Sequence, residues 1–185
     1  MIPSFRQGEG ETDALARQIR RIGFRCRQCG TCCRGEDHLV LVMPGEVRDL
    51  LAGGGGTWEE TVEPYPQFLE GGNGTRYTLG WCIRRNSGAC RYLSGDLCTV
   101  HGSRPRICRT YPFMLVDGRL EVSSCPGIGA PMTPEEAREL ASALRERAFA
   151  EAAEEEQVAR VLCACGMPAG HRCVVDTEGI RVLDG

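Results

Sequence analysis

Cys26-Arg27-Gln28-Cys29-Gly30-Thr31-Cys32-Cys33 places four thiols within eight residues. Two intervening residues let both sulfurs of a pair reach one ion at about 2.3 Å. Gly30 can adopt a positive φ, which folds the backbone back and aims N–H groups at sulfur. In a helical segment, Cys26, Cys29 and Cys33 would share a face, with Cys32 pointing about 100° away from Cys33. The adjacent pair is therefore expected to feed two metals, or to divide into one ligand and one structural thiol.

Outward from this motif, the rest of the chain gives the same signal. The 185 residues include 12 Cys and 24 Gly, and only 6% are aromatic. That balance predicts an α+β fold: a small, irregular, loop-rich domain stabilised by metal, with short helices, a β-hairpin and a longer C-terminal helix. A second cysteine set, Cys90, Cys98, Cys108 and Cys125, is separated by seven, nine and sixteen residues. Those gaps are too long for a pairwise chelate and make sense only if folding returns these sulfurs to the first cluster.

Four blocks occur in order: Cys26-x2-Cys29-Gly30-x-Cys32-Cys33; Cys90-x2-Leu93; Cys98-x2-His101-x2-Arg104-Pro105-x2-Cys108-Arg109-x-Tyr111-Pro112-Phe113; and Cys125. In these blocks the chain resembles the YkgJ-type cysteine-cluster family, the zinc- or iron-chelating CxxCxxCC domain, over Phe24 to Gly127. The resemblance implies metal chelation by Cys26, Cys29, Cys32, Cys33, Cys90, Cys98, Cys108 and Cys125. It implies no agreed reaction. One relative, the flagellin lysine N-methylase, carries a similar cluster, so methyl transfer is an alternative by analogy. No glycine-rich cofactor loop supports it, and catalytic residues and enzyme status stay open.

Eight thiolates permit two four-thiolate zinc sites, one [4Fe–4S] cluster with sulfurs to spare, or a two-metal site with bridging sulfurs. The bacterial ferredoxin spacing is missing, but cysteine-only ligation suits both zinc and iron–sulfur. Around these sulfurs His101, Arg104 and Arg109 are candidates to hydrogen-bond the ligands. Tyr111 and Phe113 read as packing, His38 as ordinary, and Cys82, outside the pattern, as a buried free thiol. The tail holds Cys163, Cys165, His171 and Cys173, the donors of a possible separate zinc site, although one residue between Cys163 and Cys165 is tighter than usual.

Hydrophobic spacing predicts a helix over Asp13–Ile22, a β-type run from His38 to Met43, and a helix over Gly45–Leu51 opened by Pro44. Thr57 to Gly74 reads as surface loop, and Arg76–Trp81 as a strand. An Asp117-Gly118 turn joins strands Phe113–Val116 and Arg119–Val122. Thr133-Pro134-Glu135-Glu136 starts a helix reaching Ala150 or Leu162. A further hairpin is expected at Thr177-Glu178-Gly179. The implied organisation is an N-terminal helical segment (1–23), a cysteine-cluster metal-binding domain (24–132), a covering helix (133–162) and a Cys/His-bearing tail (163–185).

All 22 basic residues are Arg, and the formal charge is −3. The Arg-rich segments, 17–34 and 84–109, are also the cysteine-bearing ones. Arginine there offsets the negative charge of thiolate–metal centres; the rival use is nucleic acid or another anion. No secretory signal or apolar span is visible. Cysteine richness without an export signal predicts a cytoplasmic protein with reduced thiols. The expected role is redox, assembly or structural, with metal ions as partners, a protein partner open and nucleic acid not expected.

Overall fold

Leu15, Ala16 and Ile19 recur at helical spacing and are buried, so the first element is helix α1, Gly8–Ile22. The computed structural model describes residues 8–34, 38–164 and 166–184. Within them, α1 begins five residues earlier than its apolar pattern, and its early residues Glu11 and Asp13 pair with Arg145 and Arg138. It lies against helix α5, Pro134–Ala164. Leu15, Ala16 and Ile19 meet Ala137, Ala141, Leu144 and Phe113 there. Fully burying a side chain such as Ile19 or Leu144 contributes about 1.5–3 kcal/mol. The α5 start is the expected capping box. Thr133 N–H donates to Glu136 Oε2 at 2.8 Å, and Glu136 N–H donates to Thr133 Oγ1 at 3.2 Å.

A second core gathers Val42, Val47, Leu50, Val62, Trp81, Ile83, Tyr92, Val100 and Val174. Three short strands build its floor: β1 (Leu41–Val42), β5 (Trp81–Ile83) and β2 (Val62–Pro64), antiparallel in the order β1-β5-β2. Helix α2, Pro44–Gly54, covers it with Val47 and Leu50. The stretch expected to be loop contains ordered structure. Thr57 and Glu60 make a reciprocal capping box that opens helix α3, Trp58–Thr61, ahead of β2.

The strand expected over Arg76–Trp81 divides at Gly80. Its first part, β4 (Arg76–Leu79), joins a different sheet in the order β13-β12-β4-β3. There β3 is Leu69–Glu70, and β12 (Arg172–Asp176) and β13 (Gly179–Val182) form the C-terminal hairpin. β12 runs parallel to β4. The other foreseen hairpin, β10 (Phe113–Val116) with β11 (Arg119–Val122), is present in that register. The molecule is α+β and loop-rich.

Three small pieces point toward one place. Hairpins β6 (Arg85–Asn86) with β7 (Ala89–Cys90) and β8 (Leu93–Ser94) with β9 (Leu97–Cys98) carry Cys90 and Cys98 on their last residues. The short helix α4, Arg106–Thr110, carries Cys108.

Candidate metal centre

The cysteine loop is shaped by left-handed backbone. Gln28 has φ 50° and Gly30 has φ 67°. A Cβ at Gly30 would stand 2.5 Å from Arg34 Nη1 and 2.9 Å from Leu93 Cδ1. Glycine is therefore required both for conformation and for space. After it, Thr31–Cys33 makes one 3-10 turn. The side chains of Cys32 and Cys33 turn toward each other, with sulfurs 4.0 Å apart. This differs from the divergence a helical segment would give. The loop is not an α-helix, so the 100° rotation does not apply.

Arg34 fastens the loop. It donates to the carbonyl of Cys29 at 3.1 Å, to the carbonyl of Gly95 at 2.7 Å and to Asp96 Oδ1 at 2.7 Å. A backbone bridge pairs Arg34 with Ala89, next to Cys90. Upstream, Phe24 pairs with Ile128, and Arg25 N–H donates to the Gly127 carbonyl at 3.0 Å, next to Cys125. Helix α4 is held by Arg106. Its backbone N–H donates to Glu46 Oε1 at 2.9 Å, and its guanidinium pairs with Glu46 and Glu154. Tyr111 Oη donates to the Ser124 carbonyl at 2.5 Å, tying the end of α4 to the segment bearing Cys125.

The result is a cavity of about 370 Å³ lined by Cys26, Cys29, Cys32, Cys33, Cys90, Cys98, Cys108 and Cys125. Thus the structure brings together sulfurs separated by up to 98 residues of sequence, from Cys26 to Cys125. All eight are free thiols. The 4.0 Å between Cys32 and Cys33 is far beyond a disulfide bond. Among the described residues no three Cys, His, Asp or Glu side chains converge closely enough to hold an ion as they stand. Ligation therefore requires the sulfurs to move inward. The donor set itself, thiols with Asp96 as the one carboxylate among the described residues of the cavity wall, fits zinc or iron–sulfur.

The sulfurs differ in acidity. Interaction among the thiols of Cys32, Cys33 and Cys90 raises Cys33 and lowers Cys32 and Cys90 from the ordinary thiol range. The Thr31 hydroxyl, 3.2 Å from Cys29 Sγ, lowers Cys29. Burial pushes Cys108 up to about 12 and raises Cys98 and Cys125.

Of the supporting residues, His101 and Arg104 face the cavity. Arg104 donates to the His101 carbonyl at 2.8 Å, and its charge favours the thiolates of Cys32, Cys98 and Cys108. Among the described residues His101 Nε2 is buried without a hydrogen-bond partner. Burial, followed by the charge of Arg104, lowers its pKa. A neutral, unpaired ring nitrogen on a thiol-lined wall is suited to an incoming ligand or donor. Arg109 lines the exposed lip. Sequence reasoning overlooked Thr31 and Asp96, and it set aside His38, which lies at the mouth. A hydroxyl two residues after Cys29 was the available signal for Thr31; nothing local marks Asp96.

Phe113 is buried and meets Phe24 edge-on at 5.7 Å, as packing requires. Cys82 is buried in β5, its thiol facing the carbonyls of Glu63 and Pro64. In the tail, Cys173 is fully buried within β12, and Cys163 is exposed near the end of α5. His171 Nδ1 is 3.2 Å from the Asp184 carbonyl oxygen, and Cys165 lies outside the described residues.

No helix among the described residues is long and apolar enough to cross a membrane. No curated protein and no solved structure matches the chain. A sequence model of the CxxCxxCC family, described as a "putative zinc- or iron-chelating domain", matches residues 25–139, which include every cysteine of the cavity. With more than half its length so matched, the chain belongs to the CxxCxxCC family of zinc- or iron-chelating domains.

Proposed function

We propose that this protein binds zinc or an iron–sulfur cluster through Cys26, Cys29, Cys32, Cys33, Cys90, Cys98, Cys108 and Cys125, and that it serves a redox, assembly or structural role. One observation supports the reading above all others: eight thiols from five chain segments line one cavity. Chance burial does not explain this, since cysteine needs no thiol neighbours to be buried. When bound, the metal would supply cross-links between the loop, both hairpins, α4 and the 125–127 turn.

The residues' own contributions follow from their contacts. Arg34 sets the loop against the β8–β9 turn. Arg104 stabilises thiolate charge at Cys32, Cys98 and Cys108. Thr31 hydrogen-bonds Cys29. Thiolates, not thiols, are the ligands, so Cys33, Cys98, Cys108 and Cys125 must give up protons on ligation. The reduced interior of a cytoplasm suits that chemistry.

Anaerobic purification with metal and sulfide analysis and a visible spectrum tests the reading. A brown protein with stoichiometric iron and sulfide, or a colourless one with stoichiometric zinc, agrees with it. Protein carrying neither, and taking up neither when reduced, would refute it.

A further inference from the structure

The cysteines are not equivalent in position. The antiparallel Arg34–Ala89 bridge sets Cys33 beside Cys90. Cys90 and Cys98 pack against the apolar core around Trp81 and Val100. Cys108 lies within electrostatic reach of Cys90, Cys32 and Cys98. A separate pairing, Phe24–Ile128 with Arg25–Gly127, sets Cys26 beside Cys125. It depends on glycine: a Cβ at Gly127 would stand 2.3 Å from the Arg25 carbonyl oxygen. Cys125 lies within electrostatic reach of Cys29, Cys32 and Cys26. Cys32 is the sulfur common to both neighbourhoods, and it is 4.0 Å from Cys33. Cys26 and Cys32 are exposed, the other six are half-buried, and of these Cys90 and Cys98 lie against the core.

We propose that the eight cysteines divide into two four-thiolate sites for zinc-like divalent ions, adjoining at Cys32 and Cys33. The inner site is Cys33, Cys90, Cys98 and Cys108. The outer site is Cys26, Cys29, Cys32 and Cys125. The inner ion joins elements of the core and is structural; the outer ion faces solvent and exchanges. This rests on the metal-binding reading above and specifies which sulfurs share an ion. Four thiolates per ion satisfy tetrahedral coordination at each site without bridging ligands.

The test loads the reduced full chain anaerobically with Co²⁺, counts ions by thiolate-to-cobalt absorption and native mass, and then adds a chelator. The unsubstituted chain is expected to hold two ions and release them in a fast and a slow phase. Cys125→Ser is expected to lose one ion and the fast phase while keeping most of the thermal stability. Cys108→Ser is expected to lose the slow phase and to unfold at lower temperature. If that variant does not fold, Cys26→Ser provides the second reading and should match Cys125→Ser. Release of both ions in one phase, loss of the slow ion in Cys26→Ser or Cys125→Ser, or one four-iron cluster with four sulfurs open to alkylation overturns the division. No uptake of any metal by the unsubstituted chain overturns the metal-binding reading as well.

Discussion

Arg34 donates to Asp96 across 2.7 Å, and this pair closes the cysteine loop onto the hairpin that ends in Cys98. The two side chains are 44% and 70% exposed. A pair so exposed contributes only about 0.2–1 kcal/mol. The carbonyls of Cys29 and Gly95, which Arg34 also satisfies, carry more of the structural load. Arg34→Ala should therefore lower stability and metal retention more than Asp96→Ala. Chemical denaturation and metal content of the two variants decide this. Equal losses would mean that the ion pair, not the carbonyl contacts, positions the loop.

Gly30→Ala is expected to be worse than either. It combines positive φ, costing about 1–2 kcal/mol for a residue with a Cβ, with the close approaches to Arg34 and Leu93. Denaturation should show a loss of at least that size, with metal content reduced. A variant as stable as the original would show that the loop relaxes freely.

The Cys26–Cys33 motif was legible because its ligand spacing is local. The second set was legible only through the order of blocks along the chain, since the spacing of Cys90, Cys98, Cys108 and Cys125 specifies no geometry. Their convergence depends on hairpins two residues long on each side, too short for any periodic pattern. Turn residues such as Ser87-Gly88 and Gly95 were the remaining clue. Helix α5 and hairpin β10–β11 were readable from the Thr133–Glu136 box and the Asp117-Gly118 turn. Helix α3 carries the same box at Thr57 and Glu60 but is only four residues long, so surrounding Gly and Pro masked it. The 3-10 turn at Thr31–Cys33 was not readable, because Arg34 and its distant partners impose it.

Cys82 offers a control for the ligand set. Burial pushes its thiol up to about 11, and it lies outside the cavity lining. Cys82→Ala should leave metal content unchanged and cost about 1 kcal/mol through lost packing. In the folded protein it should react slowly with alkylating reagents, since little thiolate is present at neutral pH. Loss of an ion in this variant would show that the site extends beyond the eight cysteines.

Arg106 links the position of Cys108 to helices α2 and α5, through Glu46 and Glu154. Arg106→Ala leaves two largely buried carboxylates without that partner and should cost about 1–3 kcal/mol. Glu154 also predicts a pH dependence. Burial raises its pKa, and the pairing with Arg106 opposes this without cancelling it. A carboxyl whose folded pKa lies above its unfolded value contributes stability that is complete below the unfolded pKa, about 4.3. That contribution is lost as pH rises through the folded pKa. Relative to Glu154→Gln, the unsubstituted protein should therefore become progressively less favoured between pH 4 and pH 7. Urea unfolding of both proteins across that range, at fixed metal loading, measures the difference. A stability difference that moves the other way would mean that the ion pair with Arg106 outweighs the burial of the carboxyl.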